Sequence, residues 1–235
     1  MRIPTIHGYI DRRILINFTA DPKTVEQIIP YPFRPKIYKD KAIVGICLIR
    51  LKNIKPKGLP DFIGVSSENG AHRIAVEWDE DNKTKSGVYI PRRDTSLKLN
   101  AIVGGRLFPG KHYHAKFNVI EEKGSYHIDF KSSDNTEISI DAVETKTFDD
   151  KSIFQTLNNA SDFFEQGDLG YSPNKDKFDG LRLKAYKWEV MPLEVSNLTS
   201  SFFANEALFP KGSITFDNAL LMTKIEHEWR SVVDK

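Results

Sequence analysis

The sequence predicts an α+β protein built mainly of antiparallel strands, with three or four short helices between them. Three observations carry that expectation. Apolar and polar residues alternate with a period of two over several segments, Pro, Gly and Asp punctuate the chain at short intervals, and helical spacings are few and brief. Of the 235 residues 40% are hydrophobic and 28% charged, an ordinary globular composition that excludes a disordered or low-complexity chain. No internal repeat or composition break divides them, so a single domain over residues 1–235 is expected.

Ile10 to Phe18 reads as a strand with one wet face. Asp21 and Pro22 then supply an N-cap followed by proline at the first helical position. The helix expected from 22 to 29 places Val25, Ile28 and Ile29 on one face, and Pro30 ends it. Three prolines make Tyr31 to Asp40 extended or turn-like, and the run Ala42 to Leu51 (AIVGICLIRL) is a buried strand. Lys55 to Gly64 (KPKGLPDFIG) suits a long loop. His72 to Trp78 and Gly87 to Ile90 form a hairpin about the charged turn Asp79 to Lys85. Thr95 caps a helix from Ser96 to Val103, which Gly104 and Gly105 stop. His112 to Ile120 and Tyr126 to Phe130 make a second hairpin about Glu121 to Gly124. Asp150 to Gln166 has helical spacing, and the following GDLGYSP stretch is a loop. Leu181 to Met191 and Leu221 to Trp229 are strands, the latter with Leu221, Thr223, Ile225, His227 and Trp229 on one face.

Thirty-four Lys plus Arg against 32 Asp plus Glu leave a net charge of +2, which lacks the excess that marks a nucleic-acid-binding domain. No stretch approaches 18 apolar residues and the first ten residues lack signal-peptide organisation, so no membrane or nucleic-acid partner is expected. The single cysteine, Cys47, allows no internal disulfide; a reducing, cytoplasmic location follows as an expectation, and the sequons at Asn17, Asn82 and Asn197 read as chance matches. There is no GxGxxG, GxxxxGK, GxSxG, HExxH or CxxC, and no cofactor is expected.

Three weaker constellations remain. An HxH on a strand puts His112 and His114 on one face, and His127 on the partner strand could converge with them on a zinc-like ion. Without a Cys, Asp or Glu at a recognised ligand spacing, a polar hairpin strip is the better reading, and no metal is expected. Lys111, near Lys116 and the histidines, could become a nucleophile if burial lowered its pKa. Cys47 lies in an apolar run, where a free thiol usually packs as a small hydrophobe.

Four segments carry a family resemblance: NFTADPKTVEQIIP (17–30), AIVGICLIRLKNIKPKGLP (42–60), GRLFPGKHYHAKFNVIEEKGSYHIDF (105–130) and a W-x3-PL pattern from Trp188 to Leu193. On these segments the chain is identified as a member of the YqjF-like family of uncharacterised bacterial proteins, which is related to acetoacetate decarboxylase. The resemblance implies a closed, cone-shaped antiparallel β-barrel with short helices packed outside and a pocket inside. Acetoacetate decarboxylases form a Schiff base through a lysine in a Pro-Lys-Lys motif. The stretch that resembles it here is Pro109-Gly110-Lys111, which puts Gly110 at the Schiff-base position and keeps only the neighbouring lysine, Lys111. The two pocket glutamates of the decarboxylases correspond to Cys47 and the region of Gly64, and the substrate-contacting arginine falls near Asp11 to Arg13, with Arg13 serving if the register shifts by two residues.

The resemblance therefore implies a protein that binds a small organic acid or carbonyl compound inside the barrel without classical Schiff-base decarboxylation. Arg13, Cys47 and Lys116 are its candidate ligand-binding residues. The alternatives are a carbon-carbon lyase-like or imine-forming enzyme using Lys111, with His112 and His114 moving protons, or a structural protein acting as a homo-oligomer. The sequence leaves open whether the chain is an enzyme.

Overall fold

Alternation that is legible from Ile10 extends further in space. In the computed structural model, which describes residues 4–98, 110–174 and 177–232, the first strand β1 covers Ile6–Ala20. Asp21 caps α1 (Pro22–Glu26): its carboxylate accepts from Thr24 N at 3.1 Å, and Pro22 stands where a helix has no donor to lose. The helix stops three residues short of the expected 29. Two short strands, β2 (Arg34–Pro35) and β3 (Ile37–Tyr38), lead into β4 (Lys41–Pro56), so the expected loop at 55–64 contracts and carries a 3-10 turn at Asp61–Ile63.

The first hairpin joins β5 (Val65–Glu80) to β6 (Lys83–Thr95) through Asp81 and Asn82 alone. Both have left-handed φ, 52° and 58°, as a primed two-residue turn requires, and the charged residues expected in a longer turn extend the strands instead. Thr95 ends β6, and only 96–98 of the helix expected at 96–103 lie within the described residues; Gly104 and Gly105 lie outside them. The second hairpin, β7 (His112–Glu122) and β8 (Ser125–Ser132), turns at Lys123 and Gly124, with φ of 47° and 83°. After β9 (Glu137–Glu144), α2 (Leu157–Glu165) starts later than the spacing from Asp150 suggests, because Thr156 supplies the cap by accepting from Asn159 N at 3.2 Å.

The GDLGYSP segment, expected as a loop, is strand from Leu169 onward. β10 (Leu169–Asn174) runs parallel to β6 and antiparallel to β11 (Lys177–Ala185). Its glycine serves close approach: a Cβ on Gly170 would lie 3.0 Å from Ile90 Cδ1. β12 (Met191–Ser200) and the 19-residue β13 (Ile214–Val232) complete a mostly-strand chain, and β11 ends at Ala185 rather than at Met191. Among the described residues no helix is long and apolar enough to cross a membrane.

The thirteen strands form one sheet whose pairings return on themselves twice. The path β11-β10-β6-β7-β8-β9-β12-β13-β1-β4-β5 is closed by the additional pairs β5–β6 and β11–β13. Two rings result, and they share β13, β1, β4, β5 and β6. One apolar cluster, with Ile14, Ile46, Trp78 and Phe130, packs on one face of the shared strands; a second, with Ile10, Cys47, Phe154 and Leu220, packs on the other beneath α2. β4 is therefore buried on both faces, which is why its sequence reads as a continuous apolar run.

Irregular register decides which side chains face which cluster. At the break between Ile10 and Arg12 in β1, one residue is skipped, so Ile10 shares its side with Leu15 rather than with Ile14. The matching irregularity in β13 is Lys224 at φ 54°. It places Leu221 in one cluster and Ile225 and Trp229 in the other, which corrects the expectation of a single face from Leu221 to Trp229.

Candidate functional site

Small residues on the second face of the shared strands leave room for a cavity. Ala71 and Ala75 on β5 and Gly87 on β6 face Phe163 and Phe164 of α2 across a space of about 120 Å³. Into its lining come three guanidinium groups, Arg13 from β1, Arg73 from β5 and Arg93 from β6. The skipped residue at Asp11 turns Arg13 to this side beside Ile10 and Leu15. A register break in β6 opposite Arg73 brings Arg93 to the same side as Ile90.

None of the three has a carboxylate partner among the described residues. Arg13 Nη2 points at Cys47 Sγ, 3.6 Å away, and Arg93 Nη2 donates to Ser172 Oγ at 3.4 Å. Arg73 is only 5% exposed; it donates to Asn17 Oδ1, and Asn17 is itself anchored to Asn218 at 2.7 Å. The Arg73 guanidinium lies 4.9 Å from the Phe164 ring centre. The Nε of each arginine lacks a hydrogen-bond partner among the described residues. The lining carboxylates are engaged elsewhere, Asp94 by Arg92 and Asp168 by Arg182. Burial lowers the Arg73 pKa and brings that of Arg93 to about 10. Unpaired buried charge costs several kcal/mol, so the three guanidiniums leave the cavity with an uncompensated positive field among the described residues.

Two other groups share the cavity's chemistry. Burial pushes the Cys47 thiol up, but Arg13 and Arg73 outweigh it and hold the pKa below its usual value. His112 accepts no proton near neutrality, because burial and then Arg93 push its pKa down to about 4, against the opposing bond to Gly110. A carbonyl only accepts, so His112 Nδ1–H donates to Gly110 O at 3.0 Å and Nε2 keeps its lone pair.

Of the residues expected from sequence, the cavity brings together Arg13, Cys47 and His112. Lys111 is exposed with its ammonium 4.8 Å from the Tyr113 ring centre, so the dry, inward-facing amine that an imine at Lys111 requires is not present. Lys116 is exposed, and neither it nor His114 lines the cavity. The three histidines do not converge: His127 is bound by Asp141 at 2.6 Å and Asp129 at 3.1 Å, and no metal-ligating cluster forms among the described residues. Gly110 has φ 93°, and a Cβ there would sit 2.5 Å from Ser172 Cβ, which leaves no room for a lysine. Gly64 is outside the lining.

Sequence reasoning missed Arg73, Arg93 and Lys36. Arg73 carried a signal, since it alternates with Ala71 and Ala75 on a strand whose other face holds Ile74, Val76 and Trp78. Lys36 comes from the proline-rich segment between β2 and β3. It lines the cavity, donates to Gln166 Oε1 at 2.8 Å and lies 4.7 Å from the Phe163 ring centre; burial lowers its pKa against the opposing field of Glu77.

A family model described as "Uncharacterized conserved protein (COG2071)", DUF2071, matches residues 10–221. The chain belongs to the DUF2071 family. No curated protein matches this DUF2071 chain in sequence. Solved structures do match in shape. The acetoacetate decarboxylase of Legionella pneumophila subsp. pneumophila str. Philadelphia 1 aligns at TM-score 0.64 and 14% identity, over 99% of this chain and 88% of that one. An acetoacetate decarboxylase-like enzyme from Sphingomonas wittichii RW1 aligns at 0.58 and 8%, over 98% and 93%. The enduracididine biosynthesis enzyme MppR, complexed with pyruvate, aligns at 0.56 and 8%, over 100% and 91%. At such identities the likeness establishes the fold: the DUF2071 chain has the acetoacetate decarboxylase-like fold, as its family resemblance implied.

Proposed function

We propose that the doubly closed strands form a barrel whose interior binds a small organic acid, with its carboxylate held by Arg13, Arg73 and Arg93. The observation that carries this reading is three guanidiniums facing one apolar-walled cavity with no carboxylate to pair them among the described residues. Bidentate contact with a carboxylate is the interaction that guanidinium geometry favours. A space of about 120 Å³ suits a small acid, and MppR, which shares the fold, has been solved with pyruvate. Asn69, which donates to Ser67 Oγ at 2.8 Å, and the His112 Nε2 lone pair add polar groups to the same lining.

Thermal unfolding with acetate, pyruvate, 2-oxobutyrate and acetoacetate, against acetone and acetamide as neutral controls, tests the reading. Acids are expected to raise the melting temperature by several degrees at saturation, since a ligand at 100 times its Kd adds about 2.7 kcal/mol. Arg73→Met should weaken binding by about 30-fold or more, as truncation of a buried charged partner does. Equal shifts with acids and neutral controls would refute it.

A second reading, an imine-forming enzyme, is favoured by Lys36, the lysine that the fold brings to the cavity in place of Lys111. Borohydride reduction with pyruvate, followed by peptide mapping, is expected under this reading to give an adduct at Lys36 that Lys36→Met abolishes. Intact mass without any lysine adduct would remove it.

A further inference from the structure

The acid-binding reading explains the arginines but gives no task to the thiol among them. Cys47 is the chain's single cysteine, 3% exposed; it lines the cavity, and its Sγ is 3.6 Å from Arg13 Nη2. Across the pair β4–β5 it stands opposite Ala71, two residues from Arg73. Arg73 gives independent evidence of a ligand here: it is 95% buried by the complement of its 5% exposure, it lines the cavity, and its Nε has no partner. A thiol packed only as a small hydrophobe does not need two cations around it.

We propose that Cys47 is a thiolate nucleophile that captures the electrophilic carbon of the acid held on the arginines, forming a reversible thiohemiketal with a 2-oxo acid. The inference rests on the acid-binding reading. The sulfur lone pair forms the S–C bond while the carbonyl π pair moves to oxygen. The alkoxide then takes a proton from water, and the proton that Cys47 lost on ionising balances the hydroxide. No oxidant, reductant or leaving group is involved, so dissociation regenerates thiolate and 2-oxo acid. Burial opposes ionisation of the sulfur, but Arg13 and Arg73 outweigh it and lower the thiol pKa, which favours the thiolate, and the carboxylate neutralises a cavity that would otherwise carry excess positive charge.

The test is alkylation of the folded protein, followed by intact mass, with iodoacetate and with its neutral analogue iodoacetamide. The sulfur displaces iodide in each case; only iodoacetate carries the carboxylate that the arginines bind. Iodoacetate is expected to react at least about tenfold faster, the ratio produced by one charge-assisted contact of roughly 1.4 kcal/mol. Pyruvate should slow it, and Arg73→Met should erase the preference; if that variant fails to fold, Arg13→Gln gives the same readout. The melting temperature with acetate is recorded on the same sample. A shift with acetate, combined with a thiol that alkylates only after unfolding in urea, overturns the nucleophile and leaves acid binding standing. Faster reaction with iodoacetamide overturns it equally.

Discussion

A Gly45→Ala variant is expected to lose about 3 kcal/mol of stability and to lose its response to acids with it. Gly45 pairs with Asn17 on β1 and with Arg73 on β5, so it sits where the shared strands hold the cavity's most buried cation. A Cβ there would lie 2.2 Å from the Ile16 carbonyl oxygen and 3.4 Å from Arg73 Nη2. The first obstacle is backbone, which cannot swing aside as a side-chain tip does. Strands β1 and β4 must separate at the point where Asn17 ties Arg73 to Asn218, and overpacking of this kind costs about 1–3 kcal/mol, with the upper end applying when the ladder moves. Urea unfolding checks the stability through a lowered midpoint at unchanged slope, and the pyruvate melting shift checks the site. A midpoint within experimental error of the parent protein would show that the strands part freely here.

Acid is expected to unfold the protein through His72, and His72→Phe should make it more resistant. His72 is 1% exposed, and neither ring nitrogen has a hydrogen bond; its ring stacks 4.2 Å from Phe202, with Asp94 Oδ2 3.8 Å from Nδ1. Burial first, and then the charge of Arg92, push its pKa down to about 3, with Asp134 opposing. The unfolded chain takes up this proton near pH 6.5, so between about 6.5 and 3 the unfolded state holds more protons than the folded one. Stability is therefore fully present above pH 6.5 and falls as pH drops toward 3, by up to roughly 1.4 kcal/mol per pH unit and several kcal/mol in all. His227 and His112, each near 4, act in the same direction. Phenylalanine keeps the contact with Phe202 and removes the titrating group. Urea midpoints at pH 7 and pH 4.5 should differ less in His72→Phe than in the parent; equal losses would place the acid sensitivity elsewhere.

Strand-forming segments were legible because a period of two survives wherever one face is wet, as in the β7–β8 hairpin, and because both faces of β4 are apolar. The β10 segment was not, since Gly167, Gly170 and Pro173 carry the same letters whether a chain turns or packs closely. Cap residues Asp21 and Thr95 were conspicuous: Asp21 caps α1, and Thr95, the last residue of β6, accepts from Leu97 N at 3.2 Å just ahead of the helical Lys98. At the site, Arg13 was named through a two-residue register shift that keeps strand parity, whereas in the structure a single skipped residue, Asp11, inverts the parity of β1 and turns Arg13 to the cavity. Arg93 was hidden because its side depends on a break in β6 at residues 90–91, whose one signal in the sequence is Pro91, a residue that strands hold mainly at edges and bulges. Lys36 was hidden because its approach to the cavity is set by α2, far along the chain. Lys111 stood out through its neighbours in sequence, whereas exposure is decided by the strands opposite.

The double return of the sheet also bears on aggregation. Long strands with an open flank recruit other chains by edge pairing, and proteins usually shield such flanks with charge, proline or brevity. Here the pairings run round, and among the described residues the strands left at the ends of the network are β2 and β3, two residues each, with Pro35 withholding a donor from one. The junctions that close the larger ring are short, three residue pairs each between β6 and β7 and between β12 and β13, so among the described residues 115–122 of β7 pair with β8 alone and are the longer flank on which strand addition would act.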